Sequence, residues 1–224
     1  HFVGGQTQTL GGNGEIVFAG TTSNNRMNSY AGLTIGAGVT VHGGAAGQGG
    51  VIQAYAPILN QGAILADAAG QTLSLLGEWS NAGVLRAQDG GILDLNGTYS
   101  TAQLGTLQNS GGVIALSGTL NNAGATLTLD AVLGTLNLSG GTISGGTVTA
   151  SAGGGLGLAP SGTLDAVTLD MDVVISNNTA LSVTNGLTLA NGHKVVLSNA
   201  GGSAQLHFVG GQTQTLGGNG EIVF

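Results

Sequence analysis

The chain has 224 residues, among them 45 glycines, two prolines and no cysteine, and its 3 basic and 10 acidic residues give a net charge of −7. Charged residues make up 6%, against about 25% in ordinary soluble domains, and mean hydropathy is +0.32. These values exclude a collagen triple helix, which needs glycine at every third position, and ordinary disorder, which needs charge and little apolar content. They also exclude a nucleic-acid binder, because three basic residues cannot neutralise a run of phosphates.

Without cysteine there are no disulfides, no thiolate chemistry and no Cys-based zinc site. No apolar run is long enough to predict a membrane-spanning helix, and no basic start followed by an apolar stretch marks a signal peptide.

The first 18 residues, HFVGGQTQTLGGNGEIVF, return unchanged as residues 207–224, an offset of 206. Residues 1–206 therefore form one complete repeat unit, and 207–224 are the first segment of the next identical one, as in a tandem array. Within this segment GGNGEIVF (11–18) predicts a turn followed by a strand. It differs from the calcium-binding glycine-rich nonapeptides in the position of its acid, Glu15, and in occurring once per repeat. The glycine-rich stretches 3–14 and 42–50 lack the Lys-Ser/Thr of a phosphate loop and read as coil corners. Segments 20–31 and 42–56 read as loops.

From residue 60 onward a shorter period emerges. Asn60, Gly62, Ile64 and Ala66 recur 21 residues later as Asn81, Gly83, Leu85 and Ala87; Gly70, Leu73, Leu75 and Gly77 recur 20 later as Gly90, Leu93, Leu95 and Gly97. Asn122 and Gly124 lie two further steps on. Local alternation has period two: Leu73/Leu75, Leu93/Leu95 and Leu127/Leu129 point inward, while Arg86 and Asp94 point to water.

Short strands that superpose by translation, with no helical stretch between them, predict an all-β fold, a parallel β-helix (β-solenoid) with coils of about 20 residues. Asn60, Asn81 and Asn122 are expected to stack as a ladder at one corner. The repeat boundary, NAGGSAQLHFVGGQ (199–212), carries no Pro-rich, Ser-rich or charged spacer. Units are therefore expected to join end to end, with about ten coils and an axial advance of about 48 Å per repeat.

GTLDAVTLDMDVVISNNTALSVTNGLTLANG (162–192), LGTLNLSGGTISGGTVTA (133–150) and TQTLGGNGEIVF (213–224) resemble giant repeat-rich bacterial surface proteins, the filamentous-haemagglutinin-like and autotransporter-passenger-like chains. The resemblance implies a secreted or cell-surface fibre, a structural or adhesive role, and no catalytic residues.

Candidate sites are few. Asp165, Asp170 and Asp172 form the one carboxylate cluster, with no histidine close in sequence and with Arg86 and Lys194 distant. A solvated outer face is the plain reading and calcium binding the alternative. His1, His42, His193 and His207 are scattered. Trp79, Tyr30, Tyr55 and Tyr99 would stack on sugars if exposed and would otherwise fill the core.

The functional expectation is a structural repeat of a long extracellular bacterial fibre or surface filament. It would serve in adhesion, cell-surface coating or cell–cell contact, without enzymatic activity, cofactor or metal. Its expected partners are adjacent copies of itself, laterally bundled fibres, and host or neighbouring-cell surface glycans. The alternative is an adhesin module whose segments 20–31 and 42–56 bind a carbohydrate or a receptor.

Overall fold

A computed structural model describes residues 1–20, 25–44 and 49–224. The chain divides into two compact units, His1–Ala115 and Leu116–Phe224. Each is a parallel β-solenoid: a strand pairs with the strand one coil later, so neighbours in a sheet are never neighbours in sequence.

In the first unit one sheet runs Gln8–Leu10, Leu33–Ile35, Gly49–Asn60, Thr72–Asn81, Ile92–Leu95. A second sheet runs Gly14–Phe18, Val39–Gly43, Ala63–Ala66, Val84–Gln88, Thr106–Ser110. In the second unit Thr119–Asn121, Thr142–Ser144, Ser161–Asp170 and Thr179–Leu189 pair in turn, and Thr179–Leu189 also pairs with Ala204–Phe208 and Leu216–Gly218. Val173–Ile175, Lys194–Leu197 and Glu221–Val223 make a further sheet. All these ladders are parallel, and one isolated antiparallel bridge joins Gln88 and Gly111.

The period-two reading places the core correctly. Leu73 lies beside Leu93 and Leu75 beside Leu95, and all four are buried, as are Leu127 and Leu129. Asp94 pairs with Ser74 on the outward face. Arg86 is also outward, between buried Leu85 and Ala87, and its Nε donates to Gln108 Oε1 at 2.9 Å in the next coil. Because like residues fall on like positions, each coil continues its neighbour's apolar column.

Coil length is less uniform than the sequence period suggests. Partner offsets are 20 (Thr72↔Ile92), 21 (Asn60↔Asn81) and 22 (Val84↔Thr106) in the middle, but 25 at Gln8↔Leu33 and 27 at Lys194↔Glu221. The longer coils carry the glycine-rich corners, which add residues without adding strands. The expected loops 20–31 and 42–56 are in part strands, Arg26–Ser29 and Val39–Gly43 with Gly49–Asn60, because Met27, Val41 and Ile52 alternate inward. Residues 21–24 and 45–48 of these segments lie outside the described residues.

The asparagine ladder has two rungs. Asn60 Nδ2 donates to Asn81 Oδ1 at 2.7 Å, and each Asn Oδ1 accepts the backbone N–H two residues on (Gly62 and Gly83, 3.2 Å each), closing the corner as an Asx-turn. The next coil of this unit brings no third rung. Asn81 Nδ2 ends instead on the carbonyls of Leu104 (2.9 Å) and Thr106 (3.2 Å), because a helical turn, Thr101–Leu104, occupies the corner of the next coil. Asn122, in the second unit, repeats the same device by donating to the carbonyls of Gly145 and Thr147.

The turn of helix follows Ser100, whose N–H donates to Gln103 Oε1 at 2.8 Å. The stretch Ser100-Thr101-Ala102-Gln103 has the spacing of a capping box. At the neighbouring corner Gly77 and Gly97 sit one above the other with φ of +88° and +99°, and a Cβ on Gly97 would lie 2.1 Å from the Gly77 carbonyl oxygen. Only glycine permits both the conformation and the approach.

Two stability predictions result. Asn81→Leu leaves the Asn60 amide and the corner carbonyls without their partner and should cost about 1–3 kcal/mol. Gly97→Ala should cost a comparable amount, about 1–3 kcal/mol, through backbone strain. Urea titration of both variants checks this, with Val174→Ala, at a 52% exposed position, as a near-neutral control.

Candidate functional site: the end coils and their outward columns

Two glycines of the duplicated segment keep similar backbone angles in both copies, although the strands differ in extent. Gly4 and Gly210 have φ of +136° and +119°, and Gly12 and Gly218 have +80° and +85°. The hydrogen-bonding edge in use differs. In the first copy Gln8–Leu10 pairs with Leu33–Ile35 and Gly14–Phe18 with Val39–Gly43, both of the following coil. In the second copy Leu216–Gly218 pairs with Leu187–Leu189 and Glu221–Val223 with Lys194–Val196, both of the preceding coil.

Burial follows the pairing. Phe18 is 5% exposed and Phe224 is 92% exposed, although they are the same residue of the repeat. Phe18 is covered by the following coil, where a Cβ added to Gly50 would lie 2.1 Å from its ring. Leu216, Phe208 and Val223 likewise remain open at the second copy. Each copy thus leaves unpaired the edge that the other uses.

Polar columns line the outside of these coils. Glu15 Oε2 lies 3.8 Å from His42 Nε2, and His42 Nδ1 lies 3.0 Å from Asp67 Oδ2 in the coil beyond. In the second copy the equivalent acid, Glu221, takes Lys194 Nζ at 2.8 Å from the preceding coil. The hydrogen bond and charge of Glu221 hold the Lys194 ammonium above its usual pKa.

The three aspartates singled out from the sequence do not converge. Asp170 Oδ1 and Asp172 Oδ1 flank His193, at 3.4 Å from Nε2 and 3.1 Å from Nδ1, and Asp172 also accepts the Lys194 N–H at 2.9 Å. His193 and Lys194, far off in sequence, are one coil away in space. Both carboxylates are half exposed or more.

Asp165 turns to other partners. It accepts Ser144 Oγ at 2.8 Å, Thr184 Oγ1 at 2.9 Å and Asn185 Nδ2 at 2.5 Å, from the coils on either side. Among the described residues no group of three or more His, Cys, Asp or Glu side chains is placed to hold a metal ion.

The aromatic residues separate into two sets. Trp79 and Tyr99 are core: their rings lie 4.3 Å apart, Trp79 Nε1 donates to the Asn96 carbonyl at 3.0 Å and Tyr99 Oη to the Leu95 carbonyl at 3.2 Å. Burial pushes the Tyr99 phenol well above its ordinary pKa, and the Asp94 charge adds to this. Tyr30 and Tyr55 are exposed, stacked face to face at 4.7 Å and 8°, with His1 5.8 Å from Tyr30. They follow Ser29 and Ala54, which pair across adjacent coils, so the backbone register itself stacks the rings.

No protein-family model, no curated protein and no solved structure matches this chain. No helix is long and apolar enough to cross a membrane, a statement that covers the described residues.

Asp165 generates a pH prediction. Its partial burial raises the carboxyl pKa, but the three donors outweigh this and hold it below the ordinary value. A depressed pKa contributes stability that is present above about pH 3.9, the unfolded value, and is lost as pH falls through the folded one. The wild-type chain should therefore lose stability below about pH 4 more steeply than Asp165→Asn. Thermal melts from pH 7 to pH 2.5 measure the difference, and parallel curves would show that Asp165 adds nothing.

Proposed function

We propose that this chain is a structural repeat of a long extracellular bacterial fibre or surface filament, acting in adhesion, surface coating or cell–cell contact. The observation that carries this reading is the duplicated segment, which prolongs the apolar and hydrogen-bonded columns of the coil before it without a linker. A solenoid stacks such coils without limit, and stiffness along the axis comes from the ladders that run along it. The resemblance of 133–150, 162–192 and 213–224 to filamentous-haemagglutinin-like and autotransporter-passenger-like proteins supports a place at the cell surface. Its partners on this reading are identical repeats, bundled neighbouring fibres and surface glycans.

Partner offsets of 19 to 29 residues, in place of 20 throughout, reduce the coils in a 206-residue repeat from ten to about nine. The axial period of the fibre should then be about 43 Å rather than 48 Å. Electron microscopy of multi-repeat filaments, with layer-line spacing as the readout, tests this. Flexible beads, or a period far from 43 Å, would overturn it.

A second reading has one observation in its favour. The exposed Tyr30–Tyr55 stack lies in the segments 20–31 and 42–56 assigned to an adhesin module, and tyrosine rings bind the apolar faces of sugars. Glycan-array binding that is lost in Tyr30→Ala with Tyr55→Ala, with an unchanged melting temperature, would favour this module. An unchanged binding profile would reject it.

A further inference from the structure

The two copies of the 18-residue segment are each half of one environment. The first copy records what lies after this coil, and the second records what lies before it. Overlaying them by sequence gives both neighbours of every residue. Ile16 (Ile222) meets Val41 on one side and Val195 on the other; Leu10 (Leu216) meets Ile35 and Leu187. All four neighbours are buried, whereas the shared residues are only half-buried or exposed in either copy. Sandwiched on both sides, each would sit in an unbroken apolar column like those at mid-unit.

The outward face agrees. The shared glutamate takes Lys194 at 2.8 Å in one copy and approaches His42 at 3.8 Å in the other. The shared glutamate thus lies between the Lys194 ammonium of the preceding coil and the His42 imidazole of the following one, which meets Asp67 beyond. A shift of one residue would turn the apolar positions outward. A shift of two would keep the faces but move the shared phenylalanine off its glycine partner, Gly43.

We infer that the surface formed by residues 204–224 is a docking edge for residues 26–44 and 49–50 of a second copy of this repeat, in the register fixed by Leu10↔Ile35, Ile16↔Val41 and Val17↔His42. The Phe224 ring, 92% exposed here, is received by Gly50 of that copy, as Phe18 is within this chain. The partner is thus a second copy of the same sequence, selected by column identity. This rests on the end-to-end stacking proposed above and adds its register.

The test uses the 224-residue chain extended in frame by residues 19–206, so that a whole second repeat follows Phe224. The sequence has no cysteine, so an introduced pair is unique. Val223→Cys combined with His42→Cys in the second repeat should form a disulfide under mild oxidation. Parallel neighbours at about 4.8 Å are within reach of the bond. Glu221→Cys with the same second-repeat His42→Cys, two residues out of register, should cross-link at least tenfold more slowly. Equal rates, or a faster Glu221 pair, would overturn the register.

Images of the same chain separate the two levels of the argument. A straight rod of double length without the predicted cross-link overturns this inference alone. Two rods on a flexible hinge overturn the stacking as well.

Discussion

The structure depends on one interaction repeated from coil to coil: a strand hydrogen-bonds a strand of the next coil in parallel, and the same class of residue recurs at the same position. Thr72–Asn81 illustrates this, lying between Gly49–Asn60 on one side and Ile92–Leu95 on the other. The backbone ladder satisfies the peptide groups, and the inward columns exclude water from them. Neither suffices alone. A single coil has too little apolar surface to offset the entropy of ordering its 20 or so residues, whereas a stack shares each buried face between two neighbours. This explains how a chain with 6% charged residues, 45 glycines and no disulfide forms a definite fold.

The corners answer a different constraint. Turning the chain while coils remain about 4.8 Å apart leaves little room for side chains and strands some peptide groups. Asparagine and glycine meet these needs in separate ways. Asn60 and Asn81 bond to each other and to backbone groups within and between coils, so a buried amide replaces the missing ladder. Gly77 and Gly97 admit a neighbouring carbonyl where a Cβ would not fit. Where asparagine is absent the corner changes form, as in the capped helical turn at Thr101–Leu104, which Gly105 closes against the Asn81 carbonyl.

Much of this was legible in the sequence because its signals are local and periodic. Alternation located Leu73, Leu75, Leu93 and Leu95 in the core, and the 20- and 21-residue offsets gave the actual strand partners. The helical turn was missed although Ser100 and Gln103 carry its capping spacing, because one turn is too short to register against a strand pattern. The strands in 20–31 and 42–56 were missed because glycines and polar residues dilute their alternation. The site-level errors were errors of distance. His193 is 21 residues from Asp172 in sequence, and only the coil length makes that the nearest approach. Exposure could not be read from residue type either, which is why Trp79 and Tyr99 proved to be core while Tyr30 and Tyr55 are surface.

If coil stacking is what holds the chain together, local stability must follow the number of stacked neighbours. Amide hydrogen exchange resolved by residue measures this directly. Strand amides of Thr72–Asn81, with a partner coil on each side, should exchange slowest, through global unfolding. Those of Gly14–Phe18 and Glu221–Val223, with one partner each, should exchange at least about 100-fold faster through fraying. Uniform protection along the chain, or greater protection in the end coils than at Thr72–Asn81, would contradict the account.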